Sequence, residues 1–110
     1  MAANILVVMT NAVEGMEDDF NDWYDKVHIK EVLARTTLAS AQRYRLADVQ
    51  ANPAINAPYR YMTIYELRET PEADLTARKT AVALTASVAI KRPVDFSFYF
   101  VKHGPQLDKE

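Results

Sequence analysis

The hydrophobic period of this chain switches in a set order, and that order constrains the fold more than any other feature. Asn4–Thr10 (NILVVMT) is β-branched and aliphatic and apolar on both faces, the mark of a strand covered from both sides. Past Glu14-Gly15, a stripe repeating at about 100° per residue gathers Phe20, Trp23, Tyr24, Val27 and His28 on one face of a helix from Met16 to Arg35. Asp18, Asp22, Asp25 and Lys26 point away from that face, and Glu17, Asp18 and Asp19 occupy the first turn, where the helix dipole favours negative charge. Period two returns in Leu38–Ala47 (LASAQRYRLA), with Arg43 and Arg45 on one face and Gln42 and Tyr44 on the other. Asp48–Pro58 carries two prolines and several Asn and Asp and reads as a loop. Tyr59–Arg68 (YRYMTIYELR) is a third strand, setting Tyr59, Tyr61, Thr63 and Tyr65 opposite Met62 and Ile64. Thr70-Pro71-Glu72 starts a second helix, with Thr as N-cap, Pro at the first helical position and an acid in the first turn. That helix is predicted to reach Ala89, with Leu75, Val82, Ala86 and Ala89 facing inward. Val94–Lys102 (VDFSFYFVK) closes the chain as a fourth strand whose Phe96, Phe98 and Phe100 read as core.

The order is β-α-β-β-α-β, so the expected fold is α+β: a ferredoxin-like sandwich with an antiparallel four-stranded sheet and both helices on one face. Residues 1–110 form a single domain, since the length allows one modest core and not two. Such a sheet leaves one face open, yet the first strand offers apolar side chains to both faces. A second copy of the chain is the expected cover, giving a homodimer joined sheet to sheet into an α+β barrel.

Composition removes several function classes. Thirteen Lys and Arg against fifteen Asp and Glu lack the basic excess of nucleic-acid binders. Without cysteine there is no disulfide, thiolate chemistry or Cys-based metal site, and two histidines cannot build a multi-histidine zinc centre within one chain. The five-residue apolar run Ile5–Met9 follows no basic segment, so it is not read as a signal peptide, and no stretch nears the ~20 apolar residues needed to cross a bilayer. A cytoplasmic protein is expected. With two glycines in the chain, and neither a phosphate-binding loop nor a nucleophile elbow, a nucleotide cradle is not expected.

Phe20-Asn21-Asp22-Trp23-Tyr24 and Val27-His28-Ile29 on the first helix, followed by the strand Leu38–Leu46, resemble the dimeric α/β-barrel superfamily and, within it, the EthD-like proteins. Lys30 and Thr36-Thr37 depart from the proline and Pro-Gly that relatives often carry there. The resemblance implies a small hydrophobic or aromatic ligand held between sheet and helices. It also implies a range of activities: cofactor-free oxygenation, isomerisation, cyclisation, or haem-dependent oxidation. Fold likeness alone does not choose among them.

His28 is the residue on which function turns. It sits at the edge of the apolar stripe, with Glu31 three residues on and within reach on the same side. A carboxylate on one imidazole nitrogen would raise basicity and free the other for a substrate proton. Equally, His28 could be an amphipathic boundary residue with its polar tip in water, and Glu31 could pair with an arginine instead. Tyr24, Tyr44, Tyr61 and Tyr65 supply apolar area with a hydrogen-bonding handle and are expected to shape a pocket, with Trp23 beside them as core anchor or ligand contact. Strand packing explains any single one of these tyrosines equally well. Arg43 and Arg45 could clamp a carboxylate or pair with Glu66 across the dimer, and His103 lies in the polar tail HGPQLDKE.

The expectation is therefore a homodimeric enzyme without cofactor or metal, acting on a hydrophobic aromatic or polyketide-like carbonyl compound as an isomerase, cyclase or lyase. His28 would be its general acid/base and Glu31 its assistant. A non-catalytic ligand-binding protein using the same pocket, and a haem-binding monooxygenase with His28 or His103 as axial ligand, fit the same residues.

Overall fold

The computed structural model describes residues 4–81 and 83–110. Strand β1 (Ile5–Thr10) leads into a helical stretch of three joined parts: α1 (Glu17–Trp23), a π-helical turn (Tyr24–His28) and α2 (Ile29–Arg35). Strands β2 (Leu38–Arg45) and β3 (Tyr61–Leu67) follow, then helix α3 (Pro71–Lys79) and strand β4 (Phe96–Phe100). The four strands form one antiparallel sheet in the order β2-β3-β1-β4, an α+β arrangement compatible with a ferredoxin-like fold. No helix among the described residues is long and apolar enough to cross a membrane.

Register assigns each side chain to a face. Leu6 lies opposite Tyr65 and Tyr99, Val8 opposite Thr63, and Ala41 opposite Tyr65. These residues face the helices, where Leu6, Val32, Leu38, Tyr65 and Leu67 form a core cluster. A bulge between Leu38 and Ser40 turns both Leu38 and Ala41, three residues apart, toward that side. A second cluster joins Phe20 and Tyr24 to Ala89 and Ile90. Helix α3 reaches the same side through Asp74, whose carboxylate accepts from the Tyr99 hydroxyl at 2.5 Å. Along its thinnest axis the molecule measures 21 Å, which is one sheet and one helical layer.

Two expectations are corrected here. The second helix stops at Lys79 rather than Ala89. Beyond it no described residue lies in helix or strand until Ile90 bridges to Ala12 and the Ala89 carbonyl accepts from the Val13 amide at 2.7 Å. Tertiary pairing at that end, and side-chain capture along the way, override the helical preference of its alanines. Leu75 and Ala86, expected inside, are exposed, and the residue that α3 buries is Asp74; Ala89 is buried, and Val82 lies outside the described residues. The second correction concerns β4. Phe98 and Phe100 are 51% and 49% exposed and lie on the face away from the helices, while Tyr99 turns inward. With its helix layer on the other side, the alternation that places Tyr99 in the core necessarily puts the three phenylalanines outside it.

Candidate functional site

His28 ends the π-helical turn, whose i→i+5 pattern is seen in the bond from the Ile29 amide to the Tyr24 carbonyl. This wider turn lets residues five apart meet. The Trp23 ring stacks on the His28 ring at a centroid distance of 4.6 Å and an interplanar angle of 28°. Tyr24 meets the imidazole edge-on at 4.8 Å. A residue inserted into an α-helix in this way costs hydrogen-bond geometry, and such turns recur at functional sites.

The His28 Nδ1 atom is buried and has no hydrogen-bond partner among the described residues. Burial pushes the imidazole below its ordinary pKa; the Glu31 charge opposes that, and the Arg78 and Arg43 guanidinium groups add to it. The ring is therefore neutral near pH 7, with one nitrogen holding a lone pair able to take a proton.

Glu31 does not bond to His28, and of the two pairings expected for it the one with an arginine is present. Its carboxylate accepts from the Thr85 amide at 2.7 Å and the Thr85 hydroxyl at 2.8 Å, and Arg35 lies 3.6 Å away. Those two bonds hold the Glu31 carboxyl below its usual range. The reason is geometric: the π turn shifts everything after it relative to a uniform 100° progression. Glu31 thus meets the irregular segment after α3, and it influences His28 only as a nearby charge.

Tyr24, Tyr61 and Tyr65 are brought together on the helix-facing side. Tyr24 and Tyr65 are buried, and burial first, then the neighbouring Tyr24 hydroxyl, push the Tyr65 phenol well above its ordinary pKa. Phe20 packs 5.0 Å from Tyr61, whose hydroxyl accepts from Asn21 at 3.3 Å. Tyr44 is separated from them. It belongs to the open face, 48% exposed and paired in register with Met62. Trp23 serves in two ways, packing against the Phe20–Tyr24 cluster and donating its indole N–H to the Thr85 carbonyl at 3.1 Å. His103 sits on the exposed tail.

Arg43 is the residue whose place the sequence did not reveal. It does not reach for Glu66, which faces the other side; it lies over the rings of Tyr24, Phe20 and Tyr61 at 4.4, 5.4 and 5.5 Å. Asp25 and Asn21 each accept from it at 2.9 Å, while its Nε atom is buried without a partner. The parity of β2, which puts Arg43 on the same face as Ala41, was the available signal. The helix above supplied the rest.

A second polar cluster was also missed. Asp74, fully buried, accepts from the Thr37 amide and hydroxyl at 3.3 and 2.8 Å, from Arg78 Nε at 2.7 Å and from Tyr99. Burial opposes ionisation, but the Tyr99, Arg78 and Thr37 bonds outweigh it and hold the carboxyl below its ordinary range. Burial and the Asp74 bond together push the Tyr99 phenol up to about 12. Only the i,i+4 spacing of Asp74 and Arg78 was legible beforehand.

A cleft of about 570 Å³ lies along the 46–60 loop and another of about 390 Å³ beside Asn11, Arg60 and Lys91; neither is lined by His28. Among the described residues no group of three or more His, Asp or Glu side chains is gathered to hold a metal ion. The arrangement offers a neutral, half-buried imidazole packed on the Trp23 and Tyr24 rings with its Nδ1 enclosed, and with the charges of Arg43 and Arg78 acting on it. That set can accept a proton from carbon and orient an oxygen. Comparison of the chain with family models, with curated proteins and with solved structures returned no match.

Proposed function

We propose that this chain is a small cofactor-independent enzyme of the dimeric α/β-barrel, EthD-like kind, moving a proton beside the carbonyl of a hydrophobic, aromatic or polyketide-like compound. His28 is the general base. The observation that carries this reading is the buried, unpartnered Nδ1 of a neutral imidazole stacked on Trp23. A buried polar atom without a hydrogen bond is costly, and sites that tolerate one are where chemistry is found. Phe20, Trp23, Tyr24 and Tyr61 pack together beside His28, and space opened among them would suit a flat apolar substrate whose oxygen a phenol or guanidinium orients.

In that reaction the carbon–hydrogen bond next to the carbonyl breaks, the proton passes to His28, and the electron pair moves onto the carbonyl oxygen. The test needs no knowledge of the product. Enolisable aryl ketones are incubated with the protein in deuterated water, and deuterium uptake at the α-carbon is followed by NMR. Wild type is expected to exchange a subset of them, and His28→Ala to lose about 100-fold or more in rate while remaining folded. Equal exchange by both proteins would end the reading.

Non-catalytic ligand binding at the same place is favoured by one observation: Glu31 is engaged by Thr85, so no carboxylate is bonded to the imidazole. It predicts ketone binding without exchange.

Assembly as a homodimer through the open sheet face belongs to the same proposal. Ile5, Val7, Met9, Met62, Ile64, Phe96, Phe98 and Phe100 share that face, a contiguous apolar set of the kind that marks an interaction surface. The accessible surface of 8118 Å² compares with about 6,200 Å² expected for a compact chain of this mass. The exposed tail contributes part of the difference, and the remainder supports a covering partner.

A further inference from the structure

His28 Nδ1 is sealed, so no ligand reaches it in the arrangement described. Next to the residues that flank the ring runs the stretch from Ala83 to Val88, which has neither helix nor strand and is exposed along most of its length. Three side chains of the first helical stretch hold it. Trp23 donates to the Thr85 carbonyl at 3.1 Å, Glu31 accepts from the Thr85 amide and hydroxyl, and Arg35 donates to the Ala83 carbonyl at 2.7 Å. Thr85 is the centre of this fastening, and both residues that grip it are neighbours of His28: Trp23 stacks on the ring and Glu31 lies one turn beyond it.

The ends of the stretch are anchored differently. On one side α3 is tied through buried Asp74; on the other Ala89 and Ile90 are buried against Ala12 and Val13. From Ala83 to Val88 the bonds to the rest of the chain come from the half-exposed side chains of Trp23, Glu31 and Arg35 and not from a backbone ladder, the pattern of a segment that opens locally at small free-energy cost. The helix beneath, by contrast, is fastened by the core packing of Phe20, Tyr24 and Val32 and does not open without unfolding.

We propose that residues 83–88 form a hinged cover over the His28 site, latched at Thr85 by Glu31 and Trp23, and that the cover lifts to admit the ligand. This rests on His28 being the reacting group. It gives Glu31 a role other than the one expected for it: it keeps the site shut and dry and is not the partner of the imidazole. Closure excludes water from a neutral base, and release of the latch exposes it.

Modification of His28 by diethyl pyrocarbonate in the full-length chain tests the cover without any substrate, with the exposed His103 as internal reference. In wild type His28 is expected to react more slowly than His103. Thr85→Val, which removes the hydroxyl bond at an exposed position, is expected to speed His28 by about tenfold, the size of one lost bond to a charged group, and Glu31→Ala, which removes both bonds to the carboxylate, by more than that; both leave His103 unchanged. A wild-type His28 as reactive as His103, or unchanged rates in both variants, would overturn the cover. The two readings fail separately: deuterium exchange judges His28 as base, whereas the modification rate judges the latch.

Discussion

At the scale of single residues, the strongest commitment is Asp74. A fully buried carboxylate with four donors ties α3, the start of β2 and β4 together, and its removal leaves Arg78, Tyr99 and Thr37 facing an empty acceptor. Asp74→Ala is expected to lower unfolding free energy by about 3–5 kcal/mol, measured by urea titration at neutral pH. The pH dependence has a defined sign. Asp74 has a folded pKa below its unfolded value of about 3.9, so its contribution is complete above that value and is lost as pH falls through the folded pKa. His28 is also depressed, from about 6.5, so the unfolded chain takes up its proton first and stability declines as pH drops below that value. Urea midpoints are therefore expected to fall in two stages on acidification, and His28→Ala should remove the first stage alone. A midpoint that stays flat from neutral pH down to the carboxylate range would contradict the burial assigned to His28.

Among the elements, the π-helical turn decides most. It brings Trp23 onto His28, seals Nδ1 and sends Glu31 to Thr85, none of which a uniform α-helix would do. Nothing in the run Tyr24–His28 marks a π turn locally; it forms because Phe20 and Tyr24 on one side and Val32 on the other must all reach the core. Helix α3 shows the opposite case. Its start was readable from Thr70 and Pro71, and Thr70 does cap it, accepting from the Ala73 amide at 3.1 Å. Thr70→Ala is expected to cost about 1 kcal/mol, seen as a lowered urea midpoint with an unchanged slope. Its end was not readable, because the alanines after Lys79 carry helical propensity while Arg35 claims the Ala83 carbonyl and Trp23 that of Thr85.

For the whole molecule, the relevant quantity is uncovered apolar area. A radius of gyration of 15.4 Å exceeds the roughly 13 Å of a compact domain this long, and the sheet has helices on one side only. Phe98 lies on the uncovered side, half exposed, next to Phe96 at 4.9 Å. Under the proposed assembly Phe98→Glu places a charge in the sheet-to-sheet contact, so sedimentation is expected to show a monomer where wild type shows a dimer. A wild-type chain sedimenting as a monomer at micromolar concentration would remove the dimer from the proposal.

What the sequence by itself determined is the order of elements and which strand residues share a face, because periodicity is a local property that backbone geometry translates directly into alternation. Tyr61, Thr63 and Tyr65 were assigned to one face of β3, and they share it; Phe20, Tyr24 and His28 were grouped on the first helix, and they meet. Only the tertiary structure decided which face of the sheet the helices cover, and so whether Tyr99 or Phe98 turns inward. It alone decided that Arg43 lies over aromatic rings, that Asp74 is buried and that Glu31 answers to Thr85. Each of those outcomes joins residues distant in the chain, and the energy of a buried charge or an unpaired nitrogen depends on neighbours that no local pattern specifies.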